Sequence, residues 1–151
     1  MVRPPLALVL LRASRWFDSQ LLEQLVRRGW PRLTPAQSLV FAHLSEDGTS
    51  PSELARRLGS SRQAAHELVA GLQGLALLEV VEDPARRRGR LVTLTPDGHR
   101  LAGDARQVLA ELEEELGRER VDALHGLLEG LDRTPDALRG QVLVPEVSPP
   151  R

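Results

Sequence analysis

The fold is decided by residues 77–96, which read LLEVVEDPARRRGRLVTLTP. The helical spacing of apolar residues gives way here to a period of about two, first at 78–82 and again at 90–95, as in β-strands that are half buried. Residues 83–89 between them begin with Asp-Pro and end with glycine, which are turn-forming residues. The segment therefore predicts a β-hairpin with an arginine-rich tip.

Helices are predicted on both sides of this hairpin, because hydroxyl residues mark several helix starts. Capping boxes, in which a hydroxyl and a Glu or Gln three residues later cap a helix reciprocally, are predicted at Thr34–Gln37, Ser50–Glu53 and Ser60–Gln63. The apolar spacing predicts helices at 5–28, 35–44, 51–58, 61–74, 96–116 and 119–131.

The third and fourth predicted helices form a helix-turn-helix. Gly59 lies in the turn between them, and Leu54 and Ala55 are placed to face inward. Ala55 is small enough to let the next helix, which carries Leu68 and Leu72, approach closely. The order of three helices, a hairpin and a long helix predicts a mainly α fold with a small β-hairpin wing.

Composition limits the possible classes of protein. The chain has 151 residues, enough for one domain, and 41% of them are hydrophobic but only 3% aromatic. The net charge is −1, all 20 basic residues are arginine and cysteine is absent, which excludes disulfides and thiolate metal sites. We expect no metal or other cofactor, no membrane segment and a cytoplasmic location.

Several motifs in this region resemble those of the multiple antibiotic resistance regulator (MarR) family of winged helix-turn-helix transcription regulators. They are Glu53–Gly59, Ser61–Ala65, Asp83–Arg88 and Leu91–Gly98. The resemblance covers roughly residues 34–98. Three positions depart from the family pattern, which usually has a glycine at position 76, a polar or hydroxyl residue at 66 and often an acid at 86.

The resemblance implies an arrangement of domains and a homodimer. An N-terminal dimerisation helix (1–30) would precede the winged helix-turn-helix DNA-binding domain (31–96). C-terminal dimerisation helices (97–131) and a Pro-rich tail (132–151) would follow. The apolar stripes of the terminal helices agree with this expectation, because a small winged helix alone could not cover them.

Double-stranded DNA is the expected partner, and two groups of residues are expected to contact it. The start of the helix at 61–74 would enter the major groove, where Arg pairs well with guanine and Gln with adenine. The wing would reach a narrow minor groove, which attracts arginine. The expected DNA-binding residues are Ser60, Ser61, Arg62, Gln63, His66, Arg86, Arg87, Arg88 and Arg90. His66 could instead only cap or solvate its helix, and Arg56 and Arg57 could be solvated charges instead of phosphate contacts.

The resemblance also implies a small effector, often phenolic or otherwise aromatic, that binds between the dimerisation and DNA-binding regions and releases the DNA. Trp16, Phe41 and His43 are the candidate ligand-binding residues, although the aromatic ones could equally be core or interface residues. A constitutive regulator without a ligand is an open alternative.

Two other classes of function compete with a DNA-binding repressor. A winged helix used only for protein–protein assembly would need a neutral or acidic wing, which the arginines at 86–90 contradict. An enzyme would need a nucleophile, a metal or a phosphate-binding loop, and the sequence has no matching motif.

Overall fold

The computed structural model describes residues 3–132 and confirms a mainly helical fold with a two-stranded hairpin. Over that range the elements are α1 (Leu6–Arg27), α2 (Pro35–His43), α3 (Pro51–Arg57), α4 (Arg62–Gly74), β1 (Leu78–Glu82), β2 (Arg90–Leu94), α5 (Pro96–Leu116) and α6 (Arg118–Asp132). Predicted and observed boundaries differ by only one or two residues. None of these helices is long and apolar enough to cross a membrane. The predicted Pro-rich tail lies outside the described residues, apart from Asp132.

The hairpin is antiparallel, and its register pairs Leu78 with Leu94 and Glu82 with Arg90. Thr49, in the loop between α2 and α3, adds one further bridge to Val92 of β2. Two backbone hydrogen bonds form this bridge, with N···O distances of 3.0 and 2.9 Å. The wing is therefore anchored to the helix-turn-helix by backbone as well as by packing.

The predicted helix caps differ in how closely they match the structure. Thr34 and Gln37 form the complete capping box. Ser50 caps α3, but the Glu53 side chain bonds to arginines instead of reaching back to the cap. The predicted box at Ser60 is wrong, because the cap of α4 is Ser61, whose hydroxyl accepts from the Ala64 N–H.

The reason for this one-residue shift lies in the preceding turn. The Ser60 N–H donates to the Ala55 carbonyl at 3.1 Å, so Ser60 still belongs to the C-terminal cap of α3. Gly59 has φ +61°, the left-handed conformation that such a cap requires. The turn of the helix-turn-helix thus uses both Gly59 and Ser60.

The core lies where α3, α4 and the wing meet α1, α2 and α5. Its most completely buried side chains include Leu54, Leu72, Leu77, Val92 and Leu101. These residues come from four elements and one loop, so the helix-turn-helix (α3 and α4), the wing and α5 share one apolar cluster. Burial of apolar area stabilises this cluster by about 25 cal/mol per Å².

The chain divides into two compact units, the first ending at Leu112 and the second beginning at Glu113, within α5. Within the first unit, a polar clamp ties the end of α1 to α5. Arg28 donates to Glu111 at 2.9 Å, and the Trp30 indole N–H donates to Asp104 at 2.6 Å. In the second unit, Gly117 separates α5 from α6 with φ +94°.

Candidate nucleic-acid interface

The start of α4 and the wing border one groove of about 640 Å³. Most of the residues predicted to bind DNA lie on this side of the molecule, and five of them line the groove: Arg62, Gln63, His66, Arg86 and Arg90. Residues 62–66 and 86–90 are thus brought together although about twenty positions separate them in the chain. The groove has cationic groups on both sides.

The fourth helix presents one polar face and buries the other. Ala65, Val69 and Leu72 are buried against the core, whereas Arg62, Gln63 and His66 are exposed. Ser61 is exposed too, and its hydroxyl is occupied as the helix cap. Ser60 is partly buried, and its hydroxyl lies 3.4 Å from the Ser61 carbonyl oxygen. Arg62, Gln63 and His66 are therefore exposed at the groove, where a ligand could contact them.

The wing tip is a tight turn that holds its arginines outward. The Asp83 carboxylate accepts from the Ala85 N–H at 2.8 Å, so Asp83 caps the turn. Gly89 is packed closely, because an added Cβ would lie 2.8 Å from the Asp83 Cβ. Arg86, Arg87 and Arg88 are all exposed, and Arg88 has φ +62°. Arg87 and Arg88 are not among the groove-lining residues, and they project from the tip.

Arg56 and Arg57 on α3 have partners inside the protein. Both donate to the Glu53 carboxylate, at 2.7–2.9 Å. These hydrogen bonds, from Arg56 first and Arg57 second, lower the pKa of Glu53 to about 2. Arg57 also donates to the His43 carbonyl at 2.9 Å and to the Ser45 hydroxyl at 3.0 Å. Arg57 therefore joins α3 to the end of α2.

A second cavity, of about 580 Å³, lies between α1, α2, β2 and α5. Of the three residues predicted to bind an effector, only Phe41 lines it. Trp16 is not part of its wall, is half exposed and packs edge-on against Phe17 with ring centroids 5.1 Å apart. His43 is not part of the wall either.

Sequence reasoning missed several residues that line these two spaces. Ser50 and Ser52 border the groove, and His99 and Arg106 lie in the cavity wall. The helical period of α5 could have indicated the last two, because His99 and Arg106 each lie about one turn from Ala102. Within residues 3–132, no group of three or more His, Cys, Asp or Glu side chains could hold a metal ion.

Known proteins resemble this chain both in the sequence of its helix-turn-helix and in its fold. Residues 33–89 match a family model described as MarR family. The fold of the remaining helices agrees with solved structures of the same family. The matched segment spans the helix-turn-helix and the first strand of the wing. Among curated proteins no match is found.

Solved MarR-family structures resemble nearly the whole chain. The reduced form of MarR from E. coli is 25% identical with a TM-score of 0.70, covering 87% of this chain and 98% of its own. The transcriptional regulator PA4135 is 26% identical with a TM-score of 0.66, covering 88% and 100%. The transcriptional repressor CouR, solved with a 23-mer DNA duplex, is 26% identical with a TM-score of 0.61, covering 85% and 93%. The family match and these structures support a transcription regulator.

Proposed function

We propose that this chain is a repressor that binds a specific palindromic site in duplex DNA as a homodimer. The observation that carries the proposal is the groove in which Arg62, Gln63 and His66 of α4 face Arg86 and Arg90 of the wing. These side chains are exposed, and their guanidinium, amide and imidazole groups suit base edges and phosphates. MarR-family relatives described as repressors, including CouR with its duplex, support this proposal.

Each border of the groove has a separate task in this proposal. The first turn of α4 enters the major groove, where each good bidentate pair with a base contributes about 1–3 kcal/mol of discrimination. The wing tip follows the backbone into the minor groove, where arginine is favoured by the negative potential. Arg56 and Arg57 are excluded from this set, because Glu53 already binds both.

A dimer would supply the second half of the interface. The N-terminal half of α1 exposes Leu6, Leu8, Val9 and Leu11, with Leu6 at 65% exposure. A second copy is the proposed partner of this apolar surface, with residues 1–30 and 97–131 as dimerisation segments. The two copies of α4 would then enter successive major grooves roughly 34–36 Å apart. Because the two protomers are related by two-fold symmetry, the DNA site would be palindromic.

The wing arginines give the sharpest test of DNA binding. We expect the triple variant Arg86→Ala, Arg87→Ala, Arg88→Ala to bind all duplexes more weakly. For each DNA phosphate that the variant no longer neutralises, the log–log slope of affinity against salt should fall by about 0.9 per protomer. The measurement is a salt titration of binding to a duplex selected by the wild type, with thermal melts to confirm that the variant is folded.

The matched control removes three exposed arginines that have acidic partners elsewhere, namely Arg27, Arg100 and Arg118, which pair with Glu23, Asp97 and Glu114. This variant changes the net charge equally and should leave most of the salt slope intact. An equal slope for wild type and the wing variant would show that the wing stays off DNA. Wild type that fails to bind any duplex would favour a protein–protein assembly module.

The cavity supports an effector that releases the DNA. Its wall is mainly aliphatic, with Phe41 among its residues, while Glu46, His99 and Arg106 supply hydrogen-bonding groups, of which the Arg106 guanidinium is cationic. This composition suits a small aromatic acid or phenol, because apolar walls with a few polar groups are typical of ligand sites. Leu44 and Ser45 in the wall belong to the same loop as Thr49, which bridges to the wing.

Effector binding can be tested with a panel of phenols and aromatic carboxylates. We expect at least one to raise the melting temperature and weaken DNA binding, and Phe41→Ala to reduce both responses. Trp16→Ala is the matched control, since Trp16 lies outside the cavity wall. Equal loss in both variants, or no response to the panel in wild type, would count against this cavity as the effector site.

A further inference from the structure

The outer face of α4 carries two adjacent polar side chains. Gln63 and Glu67 are both exposed and lie one helical turn apart, opposite the buried stripe formed by Ala65, Val69 and Leu72. Further along the same face the exposed residues are the small Ala70 and Gly74. Gln63 and Glu67 are therefore the long polar groups that this face can project into a major groove.

A hydrogen bond links the two side chains. The Gln63 Nε2 donates to the Glu67 Oε1 at a distance of 3.0 Å. A glutamine amide has two N–H groups and one carbonyl oxygen, so this bond leaves one N–H and the Oε1 free. Adenine presents one acceptor, N7, and one donor, the N6 amino group, in the major groove. The groups that remain on Gln63 are the ones that adenine requires.

We propose that Glu67 is a positioning residue that holds the Gln63 amide in the orientation that reads adenine. The inference rests on the proposed DNA-binding function and names a specificity device within it. An exposed carboxylate on the DNA-facing side repels phosphates, and an exposed side-chain pair adds little to the stability of the fold. Orientation of Gln63 gives this acid a use that compensates for the repulsion.

The experiment is selection from a randomised duplex library by wild type and three variants, followed by sequencing of the bound fraction. Gln63→Ala should relax the preference at one base-pair position per half-site, where wild type selects adenine by about fivefold or more. Glu67→Ala should relax the same position by about threefold or more. Glu67→Gln should retain the preference, because its amide oxygen can still accept from Gln63.

The charge control is Glu79→Gln, which removes one exposed carboxylate from β1, outside the groove lining. It should leave every position of the selected site unchanged. The inference is overturned if Glu67→Ala leaves the Gln63 position unchanged, or relaxes a different position, which would mean that Glu67 reads its own base. It is also overturned if Gln63→Ala relaxes no position. The proposed function fails separately, if wild type selects no sequence at all.

Discussion

At the residue scale, the junction between α4, the wing and α5 depends on two backbone positions. The Leu77 carbonyl accepts from the Thr95 N–H at 3.1 Å and also lies against Gly98 of α5. Immediately before it, Ala76 has φ +58°, and its carbonyl accepts from the Thr95 hydroxyl at 2.6 Å. These contacts fix the start of α5 against the start of the wing.

Gly98→Ala should destabilise the protein, because an added Cβ would overlap the Leu77 carbonyl oxygen. Overpacking of this kind costs about 1–3 kcal/mol. The measurement is the free energy of unfolding from chemical denaturation. Gly103→Ala is the matched control in the same helix, since nothing lies within 4 Å of its added Cβ. It should stabilise by about 0.5–1 kcal/mol, and the same loss in both variants would refute the steric argument.

Ala76→Gly should stabilise the protein. Ala76 is the left-handed residue of a C-terminal cap, with the Leu77 N–H bonded to the Leu72 carbonyl at 3.0 Å. Gly59 has the same role after α3. Because the left-handed conformation costs more for alanine than glycine loses in entropy, we expect a gain of about 0.5–1 kcal/mol in the free energy of unfolding.

The reverse change, Gly59→Ala, is the control for this second prediction. Nothing lies within 4 Å of its added Cβ, so only the backbone conformation opposes alanine there. We expect a loss of similar size in the same denaturation measurement. A change of the same sign in Ala76→Gly and Gly59→Ala would contradict the explanation.

At the element scale, the orientation of α3 is fixed through Arg57. This side chain bonds to the carboxylate of Glu53 on its own helix and to the His43 carbonyl at the end of α2. The loop that follows α2 then pairs Thr49 with Val92 of the wing. The loop at 44–50 therefore connects α2, α3 and β2. Because the start of this loop lines the cavity, a displacement of the cavity wall would be passed along its backbone to the wing.

The stability of this joint should depend on pH. The pKa of Glu53 falls from 4.5 to about 2 in the folded chain, mainly through its hydrogen bonds to Arg56 and Arg57. A lowered folded pKa contributes stability above the unfolded pKa, and this contribution is lost as pH falls from about 4.5 towards 2. We expect wild type to exceed Glu53→Gln in melting temperature at pH 7 and 5, with the difference shrinking at pH 3.

The measurement for this joint is a set of paired melts of the two proteins in one buffer series. Arg57→Ala is a second variant for this test, because it removes the hydrogen bond to the His43 carbonyl as well as the one to Glu53. A wild-type advantage that stays constant from pH 7 to pH 3 would show that ionised Glu53 adds nothing to the fold.

At the scale of the whole molecule, the exposed apolar surface of α1 needs a partner. Its C-terminal half is anchored in the core by Leu21 and Leu25, whereas its N-terminal half exposes several large apolar side chains. Within the second unit, α6 separately exposes Leu124, Leu127 and Leu128. Apolar surfaces of this kind mark sites of protein association.

We expect the protein in solution to be a dimer of about twice the 16.7 kDa chain mass. The double variant Leu8→Glu and Leu11→Glu should shift it towards the monomer, because two buried charges would oppose association. Light scattering at low micromolar concentration measures the mass of the wild type and of the double variant. Arg12→Ala together with Arg15→Ala is the control, because it changes the net charge of the same helix by the same two units at exposed positions. A folded wild-type monomer would refute the dimer.

Local signals in the sequence were enough for the elements of this protein. The alternation around Asp83-Pro84 predicts the hairpin, and the hydroxyl residue Thr34 marks a helix start, because turn chemistry and capping depend on neighbours only a few positions away. The resemblance to MarR regulators was visible for the same reason, since its motifs lie within residues 34–98. The exposed wing arginines also followed from sequence, as three adjacent guanidinium groups have no place in an apolar core.

Only the tertiary structure decided what each side chain contacts across long separations in sequence. In the folded chain Arg57 donates to the His43 carbonyl, and Phe41 lies in the cavity wall whereas Trp16 lies outside it. It also moves the cap of α4 to Ser61, because Ser60 is used to close the preceding helix. Such contacts depend on how helices pack together, and packing is set by the whole core and not by any local spacing.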